Sequence, residues 1–338
     1  SKIDQYKSLI PADISALTNT LIIALGVLLT MQGEFTIGMV MAFQGFLTAF
    51  SAPASSLIES GQRLQEMRSE MERVEDVMEY PADPVFEQSD AAEGDDRNKL
   101  SGDISIKGVT FGYSRLEKPL IQDFDLTIRA GSNVAIVGPT GCGKSTAAKL
   151  IAGLYQPWSG EILFDGKPMK QIDRGVFTGS LAVVDQEISL FEDTIANNIR
   201  LWDDSIDDLE VTRAARDAQL HESIMQRQGG YQYRIREGGK DFSGGQRQCM
   251  EIARVLAQDP TIIIMDEATS ALDARTERDV IDAISHRGIT CIMVAHRLST
   301  IRDCDEILVM DKGRVVERGK HDQLVAEGGL YAQLVASE

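Results

Sequence analysis

The sequence predicts an α/β domain with a phosphate-binding loop, preceded by an α-helical membrane hairpin. Three observations carry this. Residues 14–32 and 35–58 contain no charged side chain. From Asp103 onward, apolar residues gather into short runs separated by helical segments. One of these runs, 134–137, leads straight into a glycine-rich loop that ends in Lys144, Ser145 and Thr146.

The first charge-free stretch contains the run 21–29, Leu-Ile-Ile-Ala-Leu-Gly-Val-Leu-Leu, and is close to the roughly 20 residues that cross a bilayer. Gly33 and Glu34 form a polar break. The second stretch holds Pro53 late in its course, where a membrane helix tolerates a kink. Gly26, Gly38 and Gly45 favour membrane helices, because small residues let them approach closely. The competing reading is a pair of core helices in a soluble protein. Thr36, Gln44, Thr48, Ser51, Ser55 and Ser56 make the second span polar, so it is expected to face other helices or an aqueous path.

Residues 59–80 turn charged but keep a helical period, with Leu64, Met67, Met71, Val74 and Met78 spaced by three and four. Arg63, Arg68 and Arg73 suit the cytoplasmic side. Pro81 and Pro84 end this helix. The acids Asp83, Glu87, Asp90, Glu93, Asp95 and Asp96 face only Arg97 and Lys99 up to position 99, so a solvated linker follows. The expected division is a membrane part at 1–80, a linker at 81–102 and a nucleotide-binding domain at 103–338.

In the third part Ile104 and Ile106 alternate with polar residues, and Val109 and Phe111 continue the series. The runs 134–137, 181–184, 262–265, 289–294 and 307–310 read as buried parallel strands. Helical segments between them complete an α/β sheet with crossover helices.

Gly138, Pro139, Thr140, Gly141, Cys142, Gly143, Lys144, Ser145 and Thr146 form a phosphate-binding loop after a strand and before a helix expected from Ala147. Its glycines let backbone N–H groups face the phosphates, and the helix N-terminus adds partial positive charge. Lys144 is expected to reach the β- and γ-phosphates, and Ser145 to ligate Mg²⁺. The run 262–265 ends in Asp266 and Glu267, which places two carboxylates at a strand's C-terminal end. Asp266 is expected in the Mg²⁺ shell, and Glu267 as the general base for an attacking water.

Ser243, Gly244, Gly245 and Gln246 open a further helix, expected from Gln246 to about Ala257. This is a second anion-binding N-terminus. The chain thus holds two phosphate devices but one pair of metal-binding acids.

In this order the motifs resemble the ATP-binding cassette (ABC) family over residues 103–338. The resemblance implies a RecA-like core, a small antiparallel β subdomain and a helical signature subdomain. Ser243 to Gln246 look like the family's signature motif, with Phe242 in place of the usual leucine. The family pattern implies that this motif completes the site of the opposite subunit, so that two ATP molecules are sandwiched in a head-to-tail dimer. It further implies an adenine-stacking role for Tyr113 and a role in the Mg²⁺ shell and in sensing the transport domain for Gln186. Residues 270–273, ending in Asp273, look like the loop that crosses the interface, and His296 like the switch histidine at the γ-phosphate. Glu267 and His296 are both present, which the family associates with hydrolysis.

The hairpin also resembles the last two membrane helices of exporters whose membrane and ATPase parts share a chain. Glu237-Gly-Gly resembles the exporter loop that touches the membrane domain. The resemblance implies the C-terminal part of a half-transporter lacking four membrane helices, pairing as a homodimer or heterodimer in the cell membrane with its nucleotide-binding domain in the cytoplasm. Residues 197–202 and 72–81 resemble bacterial exporters of bacteriocin-type leader peptides, which implies peptide cargo. A soluble mechanoenzyme and a non-hydrolytic regulatory subunit are the alternatives.

Composition agrees. The 338 residues are 43% hydrophobic and carry 52 acids against 34 basic residues, a net charge of −18. That balance argues against a nucleic-acid surface, which needs basic patches. Cys142, Cys249, Cys291 and Cys304 lack metal-binding spacing and read as reduced thiols. The start of the chain lacks a signal-peptide pattern and an initiator Met, which suggests a piece of a longer protein.

Overall fold

The computed structural model describes residues 2–80, 99–185, 188–266, 268–294 and 301–337. Side chains are described from Leu17 onward, apart from Glu237. The chain divides into two compact units, residues 1–83 and 84–338.

The first unit is a pair of helices, α1 (Lys2–Met31) and α2 (Ile37–Met78). Gly33 turns the chain at φ 83°, and Thr36 caps α2 by accepting from the Met39 N–H at 3.4 Å. The helices meet at Gly26, where a Cβ would lie 2.8 Å from a Val40 methyl. That close approach is the use of a small residue expected between membrane helices. α2 continues through Pro53 into the charged segment as one helix. Among the described residues, Ile37–Met78 is long and apolar enough to cross a membrane, and Leu17–Met31 is a shorter apolar stretch.

The second unit has two sheets. The larger has six strands in the order β10-β9-β3-β8-β7-β6. Its members are β3 (Asn133–Val137), β6 (Leu181–Val184), β7 (Ile262–Asp266), β8 (Thr290–Val294), β9 (Glu306–Asp311) and β10 (Arg314–Gly319). All neighbours pair in parallel except β10 on β9. The smaller sheet is antiparallel around its centre, in the order β2-β1-β4-β5, from β1 (Ile104–Phe111), β2 (Ile121–Ile128), β4 (Ser159–Phe164) and β5 (Lys167–Pro168).

Burial on both faces explains the continuous apolar runs of the large sheet. Val134, Ile136, Ile262, Ile264 and Leu308 join a core with β1, β2 and helix α3 (Lys144–Ile151). Ala135, Val137, Ile263, Met265 and Val309 point the other way, into a core with later helices. α4 (Arg174–Ser180) sets Val176 and Phe177 against the first core, and the later helices begin with α5 (Ile195–Arg200), α6 (Asp208–Asp217) and α7 (His221–Met225). Two longer ones follow, α8 (Gly244–Ala257) and α9 (Ala274–His286). α5 and α6 pack on α8 and form a helical layer beside the sheet. α10 (His321–Glu327) and α11 (Leu330–Ser337) close the chain.

Two helix starts differ from expectation. α3 begins at Lys144 rather than Ala147, because Gly143 takes the left-handed N-cap position at φ 107° and the helix starts as soon as the loop glycines end. α8 begins at Gly244 rather than Gln246, because Ser243 is its N-cap.

Candidate nucleotide-binding site

The phosphate-binding loop leaves the C-terminal end of β3, at the middle of the large sheet, and feeds α3. Gly138, Gly141 and Gly143 have φ of 151°, 80° and 107°. At Gly138 close approach adds to conformation, since a Cβ there would lie 2.1 Å from the Met310 carbonyl oxygen. The loop is therefore pressed on β9, and the Gly313 N–H donates to the Cys142 carbonyl at 3.0 Å. The chain turns at Pro139, Thr140 and Gly141, with the Cys142 N–H returning to the Pro139 carbonyl at 3.3 Å.

Lys144 is buried, and its Nζ donates to the carbonyls of Gly138 and Pro139 at 2.8 and 3.1 Å. Its charge is thus held over the loop that the sequence assigns to phosphate. Burial pushes the Cys142 thiol up, and the neighbouring Lys144 charge opposes this in part.

Asp266 is the last residue of β7, separated from β3 by β8 alone. Its Oδ1 accepts from the Ser145 hydroxyl at 3.0 Å. The two expected metal ligands are therefore in contact, one from a helix start and one from a strand end. Both offer hard oxygen donors of the kind Mg²⁺ prefers. Gln186, the third expected ligand, lies outside the described residues, as do Glu267 and His296.

Tyr113 stands beside α3. Its hydroxyl shares a hydrogen bond with Thr146 Oγ1 at 2.9 Å, while its ring stays exposed. Phe111 and Tyr155 hold that ring edge-on, each with centroids 5.5 Å away. Tyr155 supports the expected adenine platform, and no local spacing in the sequence marks it.

The signature residues occupy a different helix end. Ser243 Oγ accepts from the Gln246 N–H at 3.2 Å, and Gln246 Oε1 accepts from the Ser243 N–H at 3.1 Å, a reciprocal capping box. Gln246 Nε2 also donates to Ser223 Oγ at 2.7 Å. Gly244 and Gly245 rest on residue 271, where a Cβ on Gly245 would lie 3.1 Å from the Ala271 carbonyl oxygen. The loop 270–273 is fixed in turn by Gln248, which accepts from the Ala271 N–H at 2.8 Å. Asp273 caps α9, and hydrogen bonds from the Thr276 side chain and then its backbone hold the Asp273 carboxyl below the ordinary carboxylate range.

The segments that follow Gln186 and precede Ser243 run side by side. The Ile235 N–H donates to the Asp193 carbonyl at 2.8 Å, and the Ile195 N–H to the Tyr233 carbonyl at 3.0 Å. Gly239 packs so close to Leu190 that a Cβ would meet it at 2.6 Å.

Comparisons with known proteins find several similar chains. Residues 121–270 match a family model described as ABC transporter. The chain is 35% identical over 320 residues to a β-(1→2)glucan export ATP-binding/permease protein of Agrobacterium vitis, covering 93% of this chain and 53% of that protein. It is 37% identical over 322 residues to the ATM1-type heavy metal exporter of Novosphingobium aromaticivorans, covering 91% of this chain and 50% of that protein. Among solved structures it matches a bacterial Atm1-family ABC exporter with ATP bound, at a TM-score of 0.77 and 33% identity over 98% of this chain and 58% of the other. The chain spans about half the length of the curated relatives it matches.

Proposed function

We propose that this chain, in which residues 121–270 match the ABC transporter family model, belongs to that family and is the ATP-hydrolysing motor end of an exporter. Residues 1–80 then contribute membrane helices, 81–102 link them to the cytoplasm, and 103–338 bind Mg-ATP between two chains. One observation carries the reading. The chain builds two helix-terminal phosphate devices, α3 with Lys144 and α8 with Ser243, but only the first sits beside the Ser145–Asp266 pair. A second helix start of this kind is suited to the nucleotide of a partner.

In this mechanism the loop amides at 138–143 and the Lys144 ammonium hold the β- and γ-phosphates. Tyr113 carries the adenine. Ser145, Asp266 and Gln186 would hold Mg²⁺, which neutralises charge on the phosphates during transfer. Ser243, Gly244 and Gly245 of the partner subunit close over the γ-phosphate, and Asp273 lies in the loop that meets the partner. Glu267 takes the proton of the attacking water, and His296 contacts the γ-phosphate. ATP favours the closed dimer through its differential affinity for that state. In this reading closure pulls on the membrane helices through the surface around Gln186 and Glu237.

The sequence also raised peptide cargo. The relatives are named for a glucan and a heavy metal, so family membership does not favour a peptide. The proposal therefore extends to ATP-driven export and leaves cargo to the membrane helices that would line its path.

The test is Glu267→Gln in the full-length protein. ATP still binds, turnover falls by roughly 10²-fold or more, and an ATP-bound dimer accumulates on size-exclusion chromatography. Turnover near wild type removes Glu267 as the base.

A further inference from the structure

The turn before the signature serine is gripped by one side chain, Arg227, which follows α7. Its guanidinium lies 3.8 Å from the centroid of the Phe242 ring and 5.2 Å from that of Tyr233. Nη2 donates to the Asp241 carbonyl at 2.9 Å and reaches Gln246 Oε1 at 3.5 Å, while Nη1 pairs with the Asp241 carboxylate at 3.3 Å. That carboxylate also accepts from the Tyr233 hydroxyl at 2.8 Å. Gln246 Oε1 is the same atom that accepts from the Ser243 N–H. One planar cation therefore contacts residues 241, 242 and 246, on both sides of Ser243.

Burial makes these contacts count. The Phe242 ring is buried and the Arg227 side chain is 16% exposed, so the cation lies over the ring with little water to screen it, the setting in which such contacts are strongest. Arg227 Nε and Asp241 Oδ1 are buried without hydrogen-bond partners. The Arg–Asp pair thus falls short of a two-pronged fork, and the ring face supplies part of what fixes the guanidinium. Leucine, the usual residue of the signature at this position, offers a cation no such face.

We infer that Arg227 is a positioning residue for the signature. Through Phe242, Asp241 and Gln246 it sets the direction in which the Ser243 hydroxyl and the amides of Gly244 and Gly245 face the partner's nucleotide. It touches no nucleotide itself. The inference rests on the composite-site reading and adds a side chain to it.

The experiment compares Arg227→Ala, Arg227→Lys, Phe242→Leu and the two combinations of an Arg227 change with Phe242→Leu in the full-length protein. ATP turnover, ATP affinity and thermal midpoint are each measured. Arg227→Ala is expected to lower turnover roughly 3- to 30-fold and to leave ATP affinity unchanged, because the phosphate loop has other supports. Arg227→Lys keeps the charge but loses the planar fork, and restores part of the rate. Either Arg227 change costs less turnover when Phe242 is already leucine. Wild-type turnover in Arg227→Ala overturns the inference, as does a parallel fall in turnover, ATP affinity and thermal midpoint, the mark of a purely structural role. If Arg227→Ala does not fold, the cycle between Arg227→Lys and Phe242→Leu decides, and additive effects overturn the inference. Ser243→Arg separates the two levels. If it is inactive while Arg227→Ala is normal, only this inference fails, and if it is itself active, the composite site fails.

Discussion

Ser145 donates its hydroxyl hydrogen to Asp266 Oδ1 at 3.0 Å, joining the start of α3 to the end of β7 across a sequence separation of 121. The contact places two oxygen donors where the glycine-rich loop meets the C-terminal edge of the sheet, the edge at which open α/β sheets bind ligands. Asp266→Asn keeps the shape and removes the charge. The expected result is that Mg²⁺ no longer strengthens ATP binding, a loss of about tenfold or more in the metal-dependent affinity. Titration of ATP with and without Mg²⁺ checks this, and a retained Mg²⁺ effect contradicts the ligand assignment.

Gly138 has no room for a side chain. A Cβ would meet the Met310 carbonyl oxygen at 2.1 Å, on a backbone at φ 151°. Gly138→Ala is expected to cost about 1–3 kcal/mol in strain and to weaken ATP binding by displacing the loop from β9. Chemical unfolding gives the first quantity and nucleotide titration the second. An unchanged midpoint with full binding contradicts the packing described.

Stability should fall at high pH through the buried thiols. Burial pushes Cys249 up to about 11 and Cys291 up to about 12, from an ordinary 9.0. Each folded-state pKa lies above the unfolded value, so the folded state holds its proton longer. The stabilisation is complete below pH 9, declines as pH rises above 9, and is fully lost once pH has passed through 11–12. Denaturation midpoints of wild type and Cys249→Ala, measured from neutral pH to about pH 10, isolate the contribution of one thiol. The variant is expected to show the shallower decline, and equal slopes contradict it.

Much of this architecture was legible from local pattern. The runs at 134–137 and 262–265 returned as β3 and β7 because strands buried on both faces need apolar residues at every position. β2 and β4 escaped notice. Ile121-Gln-Asp-Phe-Asp-Leu-Thr-Ile buries 121, 124, 126 and 128, and the three-residue step from 121 to 124 breaks the alternation. In β4 only Phe164 is fully buried. The loop motifs were legible because their function restricts backbone shape, as with the glycines at 138, 141 and 143. Arg227 was not legible, since it reaches the signature through a turn whose path only the fold supplies. The same holds for Tyr155, which reaches Tyr113 from 42 positions away.

The central claim is that each nucleotide is bound by Lys144 of one chain and Ser243 of the other. Two inactive full-length variants, Lys144→Ala and Ser243→Arg, test it when mixed and allowed to form mixed dimers. In a mixed dimer the Ser243→Arg chain contributes an intact Lys144 and the Lys144→Ala chain an intact Ser243, so one complete site forms. The account predicts ATP turnover in the mixture that neither variant shows alone. Mixed dimers as inactive as their parents would contradict it.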